Sequence, residues 1–271
     1  MAFADWAAIQ AASRRINPAY GEYVKEPATT GDSREVRWLS SIRTDGTNGT
    51  KSIPSTSTAL SYSTDPEWSI AHPTAAAGTV HVVGCAHGWD NSSYTGLLVD
   101  RLVQQGGLVG NITTSQTTNL PTTALPTRAT GGDGVWMALQ IYSTAGSTDT
   151  IVTTTYTNQA GTGSRTSTHY YYDTPIGNAL HILQLQDGDT GVRSVESVQL
   201  SASTGSAGNW GILLFKPLAF IQPRSKSAIS GVDTIIGWGD GIEDEAVLEL
   251  WQDGTENVAQ YAFYSLTFAE A

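Results

Sequence analysis

Between Val135 and Tyr142 the chain changes character at every residue: Val135, Met137, Leu139 and Ile141 are apolar, whereas Trp136, Ala138, Gln140 and Tyr142 mix aromatic, small and polar groups. Successive side chains of an extended chain point to opposite faces, so a period of two makes this segment a strand with one face in a core. Ile151 to Thr157 and Arg165 to Tyr172 flank Asn158-Gln159-Ala160-Gly161, and β-branched arms around a loop that tolerates positive φ predict a β-hairpin. The same pattern predicts strands over Val80–Cys85, Leu97–Val103, Leu180–Gln186, Val192–Ser201, Trp210–Phe215, Ala246–Trp251 and Val258–Phe268. Ten or so short strands at close spacing predict an all-β chain, an antiparallel β-sandwich of jelly-roll-like type. Asn111 to Thr130, rich in Thr and broken by Pro121 and Pro126, reads as an extended loop crossing the outside of the sheets.

Composition supports this class. Of 271 residues only 14% are charged, against about 25% in ordinary domains, and the polarity comes from Thr, Ser, Gly and Asn. Salt-bridged helical bundles need Glu and Lys in quantity, and the sequence does not supply them. With 14 basic against 25 acidic residues the net charge is −11, which removes the basic field that nucleic-acid binding uses. Trp210 to Ile221 is the most apolar stretch, yet Lys216 and Pro217 interrupt it well short of the roughly 20 residues of a membrane helix. Neither nucleic acid nor membrane is an expected partner.

Residues 1–56 read as an N-terminal arm, helical and extended, ahead of a sandwich domain over residues 57–271, either single or divided into two packed sub-domains. Phe3, Trp6, Ile9 and Ile16 fall within a stripe of about 140° at helical spacing, and Asn17-Pro18 ends the helix. Asp5 comes early and Arg14-Arg15 late, the reverse of a secretory leader, so use without export by the general route is expected. Phe3, Trp6, Ile9, Arg14 and Arg15 form the candidate docking element. The rest of the arm is turn-rich, with one short helix expected near Glu35–Ile42.

Chemical motifs are weak. Cys85 and His87 share a strand face, a geometry open to a thiol nucleophile, but with no third orienting group specified Cys85 reads as a packed small side chain. The five histidines, His72, His81, His87, His169 and His181, lie on separate predicted elements except that His81 and His87 share a strand neighbourhood, and none has ligand spacing. The acidic turns Asp187-Gly188-Asp189 and Asp240 to Glu245 offer oxygen ligands for calcium, but neither has EF-hand spacing, and solvated turns are the preferred reading. No catalytic residue, metal or cofactor is expected. Trp89, Trp238, Tyr170, Tyr171 and Tyr172 could form a sugar-stacking shelf if exposed, although core or subunit contacts are the commoner use of such rings.

Three segments say more than any motif: LLVDRLVQQGGLVGNITTSQTTNLPTTALP (97–126), IVTTTYTNQAGTGSRTS (151–167) and LQLQDGDTGVRSVESVQLSASTGSAGNWGILLFKPLA (183–219). In this order and spacing the chain resembles a group of virion-associated structural proteins of tailed bacteriophages and prophages, over about Ser57 to Phe268. The resemblance implies a non-enzymatic virion component and brings no catalytic residue with it. A Thr-, Ser- and Gly-rich sandwich with a docking arm suits a protein displayed on a particle, where oligomerisation supplies stability. The expectation is therefore a capsid decoration or cement protein, made in the bacterial cytoplasm. It would be a homo-oligomer, expected trimeric, bound to the major capsid protein or other virion proteins at the particle surface. The alternative is a tail or neck component that recognises host glycan; an enzyme such as a depolymerase comes third.

Overall fold

The computed structural model describes residues 19–25, 38–40, 59–62, 69–70, 72–76, 78–89, 96–122, 124–143, 145–171, 179–221, 236–237, 241–253 and 260–270. In chain order the strands are β1 (Ala19–Lys25), β2 (Trp38–Ser40), β3 (Ala59–Ser61), β4 (Val80–Trp89), β5 (Gly96–Leu108) and β6 (Gln116–Thr117). They continue with β7 (Trp136–Ser143), β8 (Thr150–Asn158), β9 (Arg165–Tyr171), β10 (Ala179–Leu183) and β11 (Val192–Leu200). The last four are β12 (Asn209–Ile221), β13 (Ile236–Gly237), β14 (Leu248–Asp253) and β15 (Gln260–Glu270). Two 3-10 turns, Leu120–Thr122 and Thr127–Ala129, are the only helical elements among the described residues. The protein is all-β, and every strand pairing described is antiparallel.

β5 and β12 are the spine. Each runs further than its apolar stretch in the sequence, because Gln104, Gln105, Lys216 and Pro217 remain in the ladder. Pro217 has no N–H to donate, and a register shift directly after it, between Pro217 and Ala219, accommodates the gap. β5 also pairs with β14, so the ladder closes on itself as β5–β12–β7–β10–β2–β14–β5, a six-stranded barrel with β13 on β12 and β3 on β5. Inside it Leu97, Val99, Ala138, Leu180, Leu213, Phe215 and Trp251 pack together, with the Phe215 and Trp251 rings 4.4 Å apart.

The four-stranded sheet β6–β11–β8–β9 forms the second layer of the sandwich. Its Val152, Tyr156, Val195 and Val198 meet Met137, Leu139, Ile141, Ile212 and Leu214 on the outer wall of the barrel. The alternation read from the sequence is realised here: odd residues of β7 face this core and even ones face the barrel lumen. A third sheet, β1–β15–β4, covers another part of the wall through Val80, Leu266 and Phe268 against Leu98, Leu248 and Leu250.

One expectation is overturned and one refined. The short helix expected near Glu35–Ile42 is a strand over Trp38–Ser40, because pairing with β10 and β14 completes the barrel and outweighs local preference. The crossing segment 111–130 is not featureless: β6 joins β11, and the second 3-10 turn carries Arg128 onto β5. β1 and β2 both lie within the stretch read as the arm.

Candidate functional site

β5 carries the first cluster. In the run Leu97 to Val103 the dipeptide Asp100-Arg101 is charged, and alternation sends the two side chains to opposite faces. Arg101 points into the barrel, where Nε donates to Glu249 Oε2 at 2.8 Å and Nη1 donates to Gln140 Oε1 at 3.1 Å and to Gln104 Oε1. Both charges of this ion pair are fully buried. Burial works against the Arg101 charge, and the Glu249 carboxylate, together with Tyr62 and Tyr142, more than compensates. Burial also pushes the Tyr62 hydroxyl up to about 12 and raises that of Tyr142 further, so neither ionises near neutrality.

On the outer face Asp100 receives a bidentate pair from Arg128, at 2.7 Å from Nε and 3.0 Å from Nη2. Asp100 Oδ1 also accepts from the Val247 amide, and Arg128 donates to the carbonyls of Tyr62 and Arg101. Lys216 Nζ donates to the Arg128 carbonyl. One guanidinium thus pins the 111–130 crossover to the strand beneath it. Beside it opens a cavity of about 450 Å³ lined by Thr127, Arg128, Glu243, Asp244 and Glu245. Asp244 is engaged there, accepting from the Ala75 amide at 2.8 Å.

The third cluster is the turn Asp187-Gly188-Asp189. Asp189 accepts from Tyr156 Oη at 2.5 Å, Asn158 Nδ2 at 2.7 Å and Arg165 Nε at 2.8 Å. Three donors on the Asp189 carboxylate make it a clasp on the β8–β9 hairpin, while Asp187 and Gly188 remain exposed to solvent. Gly188 has φ +85, and a Cβ on Gly191 would lie 1.9 Å from the Gly132 carbonyl oxygen, which explains both glycines of the G-D-T-G block. The hydrogen bond from Arg165, aided by those from Tyr156 and Asn158, lowers the Asp189 pKa from 3.8 to about 2.

The sign of the pH dependence follows. A carboxylate with a depressed folded-state pKa contributes stability that is fully present above its unfolded value and is lost as pH falls through the folded one. Wild-type stability should therefore fall between about pH 4 and pH 2, and Asp189→Asn should flatten that part of the curve, as read by urea unfolding at stepped pH. An unchanged slope would remove Asp189 from the acid response.

Tyr170 and Ile151 face each other across β8 and β9 and are the most exposed apolar pair described, at 44% and 42%. Tyr170 Oη donates to Asp149. Tyr171, one residue on, is 3% exposed in the sandwich core, which removes it from any stacking shelf. Trp89 ends β4 opposite Ala262. Trp238, Tyr172 and the docking candidates Phe3, Trp6, Ile9, Arg14 and Arg15 lie outside the described residues.

No family model, curated protein or solved structure matches this chain. Its own geometry therefore carries the functional reading. The blocks D-R-L, Y-T-N-Q-A-G-T and G-D-T-G-V-R-S each resolve into a buried polar clasp: Asp100 and Arg101, then Tyr156 and Asn158, then Asp189. Sequence reasoning missed the two ion pairs of β5. The available signal was two opposite charges set in an otherwise apolar strand.

Proposed function

We propose that the chain is a non-enzymatic structural protein of a bacteriophage particle, a capsid decoration protein that binds the outer shell as a homo-oligomer, in the first instance a trimer. The observation that carries this reading is that the three segments of the resemblance, far apart in sequence, pair with one another: β5 with β12, β6 with β11 and β8 with β11. They form one packed unit whose distinctive side chains hold strands together, as a part built for rigidity requires. The N-terminal element with Phe3, Trp6 and Ile9 is the proposed anchor, and each of these side chains contributes roughly 1.5–3 kcal/mol when fully removed from water.

The test is a binding assay on empty capsids with quantification of copies per particle. The full chain should add in hundreds of copies, and a variant lacking residues 1–17 should remain folded by circular dichroism and fail to attach. Undiminished attachment of the truncated chain would sink the anchor, and a dozen or fewer copies per virion would move the protein to the neck or tail.

A second reading, host-glycan recognition in a tail component, draws on the exposed Tyr170 ring. It requires specific binding on a glycan array that Tyr170→Ala abolishes without changing the oligomeric state. The decoration reading expects no such binding.

A further inference from the structure

The two layers of the sandwich meet at a pair of histidines. His169 sits on β9, opposite Val152, and His181 on β10, opposite Leu139. β9 is an edge strand of the four-stranded sheet and β10 belongs to the barrel, so the contact bridges layers. His169 Nε2 lies 3.2 Å from His181 Nδ1, with ring centroids 5.0 Å apart and planes inclined at 59°. His181 is buried, and the Tyr171 ring lies 6.2 Å from it.

Two ligands held tetrahedrally at about 2.0–2.1 Å from a zinc ion stand about 3.3 Å apart. The imidazole nitrogens already occupy that spacing, so an ion can replace the shared proton with little movement of either ring. We propose that His169 and His181 form a two-histidine clamp for a borderline divalent transition metal, zinc(II) foremost, joining the β9 edge to the barrel. Neutral imidazole suits this class, whereas calcium and magnesium demand oxygen. In the empty pair one facing nitrogen carries the hydrogen. On binding, that ring takes the tautomer with its proton on the far nitrogen, both facing lone pairs go to the metal, and no net proton is released. Among the described residues no third His, Cys, Asp or Glu joins the pair.

Calorimetric titration of the chelator-stripped full chain with zinc chloride at pH 7.5 should show one ion per chain at micromolar strength. His169→Gln, at the partly buried position, should keep the wild-type circular dichroism and bind at least tenfold more weakly. Copper(II) in place of zinc should give paramagnetic-resonance hyperfine structure from two nitrogens, reduced to one in His169→Gln. If His181→Gln fails to fold, His169→Gln alone decides. No binding at millimolar zinc, or binding that His169→Gln leaves unchanged, overturns the clamp.

Discussion

Replacing Arg101 by methionine alone should destabilise the protein by about 3–5 kcal/mol, the cost of leaving a buried carboxylate without its counter-charge. Glu249 is fully buried in the barrel with Arg101 as its ion-pair partner, 148 residues away in sequence. The double variant Arg101→Met, Glu249→Leu should recover most of the loss. Arg101 Nη2 and Gln104 Nε2 have no hydrogen-bond partner among the described residues, so the network is incompletely satisfied. Such a network gives up little when apolar groups of similar volume replace it. Urea unfolding of the four members of this cycle measures the coupling directly. A single-variant loss below about 1 kcal/mol would mean that the barrel admits water to the pair.

Local pattern announced the strands and long-range partnership did not. The β7 alternation from Trp136 to Ser143 is visible because both of its faces are buried by different materials, the lumen on one side and the second sheet on the other. The Thr-rich arms of the β8–β9 hairpin are visible because one face is buried in the sandwich core and the other is left toward solvent. Barrel closure rests on three residues, Trp38–Ser40, too short for any periodicity, and their pairing with β10 and β14 is a property of the whole sheet. The clasps were hidden differently. Asp189 reads as a solvated turn residue until Tyr156, Asn158 and Arg165, between 24 and 33 positions away, converge on it. His169 and His181 were correctly placed on separate strands, and only layer packing brings them together. Charge within an apolar strand was the one local clue, since a buried Asp-Arg dipeptide demands partners on both faces.

Arg128→Ala should cost about 3–5 kcal/mol as well, with a different footprint. The substitution strips a bidentate partner from Asp100, whose carboxylate is 5% exposed and retains the Val247 amide as its other donor. It also frees the carbonyls of Tyr62 and Arg101 and unties the 3-10 turn from β5. Loss of Arg101 strikes the barrel interior and should lower protection of amides throughout β5, β12 and β14. Loss of Arg128 should accelerate hydrogen exchange first at the 3-10 turn that ends the 111–130 crossover, because this guanidinium ties that turn to β5, whereas the start of the segment is held separately by β6 on β11 and by Asn119 on Gln105. Adding Asp100→Asn to Arg128→Ala should restore part of the stability by removing the unpaired charge, while that turn stays fast-exchanging. Stability restored together with protection of the turn would show that the charge balance of Asp100, rather than the Arg128 tether, fixes this face of the protein.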